Sequence, residues 1–320
     1  MKAVFLDAMT LGADVDLGPV EAASGGLVKY ERTRPDQVLE RLAGFDTVLV
    51  NKVVLTREHF EACPDLTCVA IVATGVNNVD LDAARDHNVR VVNVINYGRS
   101  TVAQHTLALM LALATRLPDY MGDVKAGEWQ RSDQFCLMGH PIMELEGRTL
   151  GIVGYGDLGQ GVAERARAFG MNILLAARPG QATDPVDGYP RLPLAELLPR
   201  VDVLSLHCLL TDETRNLIGA KELATMKRDA LVINTSRGGL VDEQALADAL
   251  RAGALGGAGF DVLTEEPPRQ GNPLLADDIP NLIVTPHSAW ASREARQRIV
   301  EITAINLQEF QSGTLTRWVV

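Results

Sequence analysis

Arg237 stands immediately after the apolar run Leu231-Val-Ile-Asn-Thr-Ser and before two glycines. Glu266 lies in Asp261-Val-Leu-Thr-Glu-Glu-Pro-Pro, and His287 follows Leu282-Ile-Val-Thr-Pro. A guanidinium fork pairs with a carboxylate through two parallel hydrogen bonds. An imidazole can give a proton to an oxygen that is gaining charge, and a neighbouring carboxylate favours its protonated form. Taken singly, each residue is explained as well by a solvated cation, a loop acid or a structural histidine, since ionisable groups sit mostly on surfaces. Together they are the set that reduction of a carbonyl beside a carboxylate requires. All three follow strand-like runs, and in open parallel sheets chemistry gathers beyond the carboxyl ends of the strands.

A second pattern supplies a place for a redox cofactor. The run Thr149-Leu-Gly-Ile-Val153 leads into Gly154-Tyr155-Gly156-Asp157-Leu158-Gly159 and then a segment with apolar residues at helical spacing. The first glycine permits a tight turn, the second lets the backbone approach a pyrophosphate, and the third allows close helix-strand packing, with the helix N-terminus facing the anion. An NAD site places an acid about 20 residues further on, at the end of the next strand. Here the run 172–177 ends in Ala177, followed by Arg178. Without the carboxylate both the ribose hydrogen bond and the repulsion of a 2′-phosphate are gone, and a guanidinium can pair with that phosphate. The spacing therefore favours NADP(H), with NAD(H) still possible.

These residues need strands and helices to hold them. Short runs rich in Val, Ile and Leu alternate with helix-length segments, the pattern of parallel α/β architecture. One set of candidate strands covers residues 3–6, 27–30, 47–50, 69–72 and 90–92. A second covers 149–153, 172–177, 203–207, 231–234, 257–262 and 282–284. The division predicted is a substrate-binding domain of residues 1–98 and 289–320 around a dinucleotide-binding domain of residues 99–288. Residues 100–116, apolar nearly all round, predict a buried helix with Ser100 as its N-cap. Residues 117–147, with Trp129, Phe135 and Pro141, have weak periodicity and form a segment that wraps a partner or a site. The amphipathic stretch 292–310 is expected to fold back on the first domain.

Composition narrows the partners. A chain of 320 residues, 47% hydrophobic, is long enough for two cores. A net charge of −11, with no basic run, argues against nucleic acid and anionic membrane as partners. Cys63, Cys68, Cys136 and Cys208 show neither a CxxC pair nor zinc-ligand spacing, so no metal site is expected and a reducing compartment fits. The start, MKAVFLDAMT, lacks the basic then apolar pattern of an export signal, and the apolar run 107–114 is too short to span a bilayer. A cytoplasmic protein is expected.

The motifs together resemble those of the D-isomer-specific 2-hydroxyacid dehydrogenases, in that family's order and over essentially the whole chain. They are residues 154–159, Ser205-Leu-His-Cys, Asn234-Thr-Ser-Arg-Gly-Gly, Asp261-Val-Leu-Thr-Glu-Glu-Pro and Thr285-Pro-His. Ala73-Thr-Gly-Val-Asn-Asn-Val-Asp80, Tyr97-Gly-Arg-Ser-Thr-Val-Ala-Gln-His105 and Asn272-Pro-Leu-Leu look most like the glycerate dehydrogenase (hydroxypyruvate reductase) branch. The resemblance implies a Rossmann dinucleotide-binding domain plus a flavodoxin-like substrate domain, both with parallel sheets. It implies a catalytic triad of Arg237, Glu266 and His287, with the backbone of Gly75 and Val76 joining Arg237 and His287 at the substrate. Asp157 and Leu158 would lie against the pyrophosphate, and Thr235 and Asp261 would face the nicotinamide. It further implies a homodimer formed through the dinucleotide-binding domain. The implied reaction is reversible NAD(P)H-dependent reduction of hydroxypyruvate or glyoxylate to D-glycerate or glycolate.

The sequence departs from the family at Leu209, where proline is usual, and at Ala177, where the ribose-binding acid would stand. The alternatives are a dehydrogenase of another 2-oxo acid and a nicotinamide-sensing corepressor-like binding protein. A phosphoglycerate enzyme would want cations near residues 74–78, where the only nearby charges along the chain are Asp80 and Asp82.

Overall fold

The apolar runs pair as strands of two separate parallel sheets. The computed structural model describes residues 1–320, and the chain forms two units, Met1–Gly98 with Ala291–Val320 and Arg99–Trp290.

In the first unit, strands β1 (Ala3–Phe5), β2 (Leu27–Lys29), β3 (Thr47–Val50), β4 (Cys68–Ile71) and β5 (Arg90–Asn93) pair in the order β2-β1-β3-β4-β5. Every pairing is parallel. This is the flavodoxin-like order, whose switch point lies between β1 and β3. Both β3 and β4 are buried along their whole length, which is why they read as continuous apolar runs rather than as alternation. The last helix, Arg293–Ser312, is capped by the Ser292 hydroxyl, which accepts the Ala295 N–H at 3.2 Å. It packs against the helix Gly18–Ser24 of the same unit. The chain then ends beside β5, where Val319 N–H donates to Val91 O at 2.7 Å and Val91 N–H donates to Val320 O at 3.0 Å.

In the second unit, β6 (Thr149–Val153), β7 (Asn172–Ala176), β8 (Arg191–Leu192), β9 (Val203–Leu206), β10 (Leu231–Asn234), β11 (Gly257–Phe260) and β12 (Leu282–Val284) form one sheet. Its order is β12-β11-β10-β9-β6-β7-β8, again all parallel. Counted from β6 this is the Rossmann order, with the reversal between β6 and β9. The sequence runs supply six of the seven strands. β8 has only two half-buried residues and no apolar run to announce it.

The helix Arg99–Ala114 lies against this sheet, and its inward face explains a glycine-rich strand. A Cβ on Gly259 of β11 would stand 3.0 Å from Leu109 Cβ and 3.1 Å from a Leu113 methyl, so a side chain there would press on the helix and glycine lets it seat closely. The helix starts at Arg99, so Ser100 sits inside its first turn and is not the N-cap expected from its type.

Candidate active site

β10, β11 and β12 are neighbours in the second sheet, and each delivers one of the three ionisable residues just past its carboxyl end. Asn234, fully buried at the end of β10, holds the turn that presents Arg237. Its side-chain N–H donates to Arg237 O at 2.8 Å, while its side-chain oxygen accepts the Ser236 N–H at 3.0 Å. Arg237 Nη1 donates to Ser236 O at 2.7 Å, leaving the rest of the half-buried guanidinium for a ligand. The next residue brings two loops together, because a Cβ on Gly238 would lie 2.0 Å from Leu263 C and 2.3 Å from Thr264 N. That close approach seats the Arg237 turn on the segment leading to Glu266.

Glu266 uses both oxygens. Oε1 accepts the Leu263 N–H at 2.9 Å, and Oε2 lies 2.5 Å from His287 Nδ1. With Nδ1 engaged, Nε2 is the ring nitrogen available to exchange a proton with a ligand. Both side chains keep about a third of their surface exposed, so this pair stands at an accessible surface. His287 has φ +51°, a left-handed conformation that a residue with a Cβ adopts only at some cost, of the order of 1 kcal/mol or more. It is held there by its N–H, which donates to Asp261 O at 2.7 Å, and by the next two N–H groups, of Ser288 and Ala289. These donate to the two carboxylate oxygens of Asp261, each at 2.8 Å.

Asp261 is 1% exposed. Thr235 is also buried, and its hydroxyl lies 3.0 Å from that of Thr106. Both residues are at the same sheet end as the triad, but their polar atoms are engaged within the protein.

At the head of the sheet, Gly154 has φ +95°, and a Cβ there would stand 2.5 Å from Cys208 N. One on Gly159 would stand 2.2 Å from Gly154 O. Gly156, the last residue before the helix Asp157–Ala168, has nothing within 4 Å of where a Cβ would be. Two glycines are thus needed for packing, and the middle one faces open space beside a helix N-terminus. Asp157 Oδ1 takes Arg99 Nη1 at 3.3 Å, while Oδ2 is buried without a partner. Leu158 is half-buried in the same first turn. The Tyr155 side chain turns toward β8, stacking edge-on with Tyr189. Burial and a hydrogen bond to Asp187 push its phenol up to about 12.

In the first unit, Gly75 and Val76 lie in the loop beyond β4. The adjacent loop, beyond β3, is built on the buried Asp7 carboxylate. It accepts the N–H groups of Asn51 at 2.9 Å, Lys52 at 2.6 Å and Val53 at 3.1 Å. Burial raises the Asp7 pKa, against the three N–H groups that favour its charge. Asn78 ties the two loops together, donating its side-chain N–H to Val53 O at 2.9 Å and accepting the Leu55 N–H on its carbonyl at 2.8 Å. The exposed Lys52 therefore neighbours the segment 74–78, where the chain order suggested only acids. Asp80 is committed as a helix cap, accepting the Ala83 N–H at 2.9 Å.

Residues 107–289 match the D-isomer-specific 2-hydroxyacid dehydrogenase NAD-binding domain. The chain is 44% identical to the glycerate dehydrogenase of Methylorubrum extorquens, covering 98% of this chain and 96% of that one. It is 36% identical to the hydroxypyruvate reductase of Blautia hydrogenotrophica, over 98% of each. Among solved structures, an acyclic imino acid reductase in complex with NADPH and D-Arg superposes with a TM-score of 0.85 at 27% identity, over the whole of both chains. The chain belongs to the D-isomer-specific 2-hydroxyacid dehydrogenase family.

As a dehydrogenase of this family it uses a nicotinamide dinucleotide, and Gly156, with open space where a Cβ would be and a helix N-terminus beside it, fits a pyrophosphate. Beyond β7, Ala177 N–H donates to Leu192 O at 2.7 Å, and its methyl side chain offers no carboxylate there. Arg178 is exposed next to it. Gln181 lies close by, with its N–H on Arg178 O at 3.0 Å and its side-chain oxygen accepting from Arg191 at 3.2 Å.

His207 follows β9 at the switch point and backs the Gly154 turn. Burial lowers its pKa to about 4, its Nε2 meets Ser205 Oγ at 2.8 Å, and its Nδ1 has no partner, so it stays neutral in the folded dehydrogenase. Four residues were not singled out by the sequence: Asn234 holds the turn of its near neighbours Ser236 and Arg237, whereas Thr285, His105 and Lys52 meet groups distant in the chain. Asn234, Thr285 and Lys52 had one local signal, position at or near a strand end, and His105, inside a helix, had none.

Proposed function

We propose that this dehydrogenase reduces hydroxypyruvate, and the smaller glyoxylate, to D-glycerate and glycolate in a reversible NAD(P)H-dependent reaction. The observation that carries the reading is the contact between His287 Nδ1 and Glu266 Oε2, on a strand end next to the one bearing Arg237. The names of the two relatives, glycerate dehydrogenase and hydroxypyruvate reductase, support the choice of acid.

When bound, the reduced nicotinamide supplies the hydride for the carbonyl carbon. Arg237 pairs with the substrate carboxylate and polarises the carbonyl, with the backbone N–H groups of Gly75 and Val76 as further donors to that carboxylate. As the carbonyl electron pair moves onto oxygen, His287 gives it the Nε2 proton. Glu266 holds the ring by Nδ1 and stabilises its charged form. In the oxidative direction the same ring takes the hydroxyl proton.

The missing carboxylate at Ala177 and the cation at Arg178 favour NADPH over NADH. Substrate binding is assigned to the unit of Met1–Gly98 with Ala291–Val320 and dinucleotide binding to Arg99–Trp290, a boundary two residues beyond the 288/289 division expected from the sequence. Mixing the protein with NADPH or NADH and a panel of 2-oxo acids, and following reduced-nicotinamide absorbance, tests the reading. Hydroxypyruvate is expected to give the highest kcat/KM, and NADPH to be preferred. Failure to oxidise either nucleotide with any 2-oxo acid would refute the function.

A further inference from the structure

We propose that His105 is a positioning residue for proton transfer, acting through Thr285 and Asp261 on the backbone that aims His287. The proposal rests on His287 being the acid.

His105 lies on the helix Arg99–Ala114, outside the triad and far from it in the chain. Its Nε2 is 3.0 Å from Thr285 Oγ1 and 3.5 Å from Asp261 Oδ1, and Thr285 Oγ1 is 2.5 Å from that same oxygen. An ionised carboxylate only accepts, so the Thr285 hydroxyl must donate to Asp261. The threonine oxygen is then left to accept, and His105 Nε2 must carry the proton it receives. The order of donation is therefore fixed: His105 to Thr285 to Asp261.

Asp261 is where this chain of bonds meets the active-site backbone. One carboxylate oxygen takes Thr285 and the Ser288 N–H, the other takes the Ala289 N–H, and the main-chain oxygen takes the His287 N–H. The carboxylate is almost wholly buried, so water does not replace a lost donor. Without the Thr285 hydroxyl, which His105 orients, one carboxylate oxygen is held only by Ser288, and any turn of the carboxylate carries with it the two N–H groups after His287. His287 is in the left-handed region, so relaxation of those bonds would let its φ fall back and swing the ring. The brace thus holds a strained conformation in the one residue whose direction decides whether a proton reaches the substrate oxygen.

The test uses the full chain. Thr285→Val, Thr285→Ser, His105→Leu, His105→Gln and the double variant His105→Leu/Thr285→Val are compared for kcat and KM with hydroxypyruvate, and for nucleotide affinity by reduced-nicotinamide fluorescence. Because a misplacement near 1 Å can cost about a hundred-fold, Thr285→Val is expected to lower kcat ten- to a hundred-fold, and His105→Leu about three- to ten-fold. KM and nucleotide affinity are expected to stay within about two-fold, since neither side chain is assigned to ligand binding. Serine keeps the hydroxyl and glutamine keeps a donor, so each is expected to return kcat to within about three-fold of wild type. The double variant should be no slower than Thr285→Val, because both side chains act along one path.

A merely structural role would lower thermal stability and active fraction, with multiplicative losses and no rescue by serine or glutamine. Those results overturn the proposal, as does a kcat within two-fold of wild type for Thr285→Val. If Thr285→Val fails to fold, the His105→Leu and His105→Gln pair decides by the same criteria. A wild-type protein inactive with every 2-oxo acid refutes the functional reading itself, whereas active wild type with unaffected variants refutes only the brace.

Discussion

At the scale of single residues, the site separates the groups that touch ligand from those that hold them. In the proposed reaction His287, with one nitrogen committed to Glu266, gives its proton from the other, and no second histidine lies in the loops bearing Arg237, Glu266 and His287 to replace it. His287→Ala is therefore expected to lower kcat by about a thousand-fold while nucleotide affinity stays near wild type. Stopped-flow and fluorescence titration check the two halves, and a near-normal kcat would remove His287 from the mechanism. At Ala177 a new carboxylate would restore a ribose acceptor and repel a 2′-phosphate. Ala177→Asp is expected to shift the NADPH to NADH ratio of kcat/KM at least about ten-fold toward NADH, as charge-assisted hydrogen bonds of this kind are worth 1.5–3 kcal/mol. An unchanged ratio would show that the adenosine end is read elsewhere. Lys52 is the residue whose reach was illegible: Asp7, Asn78 and two strand ends bring it beside residues 74–78, and none of those contacts is local in sequence.

At the scale of elements, the strands were legible because a parallel sheet covered on both faces demands unbroken apolar runs, as in Val203–Leu206 and Leu231–Asn234. The ends differ by a residue or so, as at 203–207, where His207 has already left the strand. β8 was not legible, since its two residues, Arg191 and Leu192, are ordered by pairing with Leu175 and Ala176 and not by their own pattern. Ser100 misled because capping preference is a property of residue type, whereas the helix start is set by where the preceding chain leaves it. The glycines gave the turn but not its reason at Gly238, where the constraint comes from Leu263 and Thr264. Alanine there must push the Glu266 segment away. Gly238→Ala is expected to cost about 1–3 kcal/mol by overpacking and to lower kcat in addition, read by thermal melting and initial rates. Unchanged values for both would mean that the two loops do not bear on each other. At the junction of β9 and β6, His207 stays neutral when folded but is protonated below 6.5 when unfolded. The unfolded state then binds more protons, so stability is full above 6.5 and falls as pH drops toward about 4. Between pH 7 and 5 this amounts to roughly 2 kcal/mol. Urea midpoints should show that loss in wild type and a correspondingly smaller one in His207→Asn; equal losses would mean His207 does not titrate this way.

At the scale of the whole molecule, the large exposed apolar side chains are not scattered evenly. Leu117, Met121, Val124, Trp129, Phe135, Met138 and Ile142 all fall within the weakly periodic stretch after the helix Arg99–Ala114, with Phe135 90% and Met138 77% exposed. Helix Leu117–Lys125 has no buried residue at all, so its apolar face is not used within the chain. Isolated exposed apolar residues are ordinary, but a run of seven in one segment is a candidate interaction surface. The family resemblance implies that the partner is a second copy, met through the dinucleotide-binding unit, and we propose a closed two-fold dimer formed through this surface. Charge supports the same reading, since Asp119, Asp123, Lys125, Glu128 and Arg131 in the segment mix both signs and do not repel an identical face. The protein should therefore sediment at twice 34.6 kDa. Met121→Asp combined with Phe135→Asp, two exposed positions whose loss opens no cavity, should shift it to 34.6 kDa with the fold intact by circular dichroism. A wild-type monomer, or a double variant that still sediments as a dimer at micromolar concentration, would show that this surface is not where the copies meet.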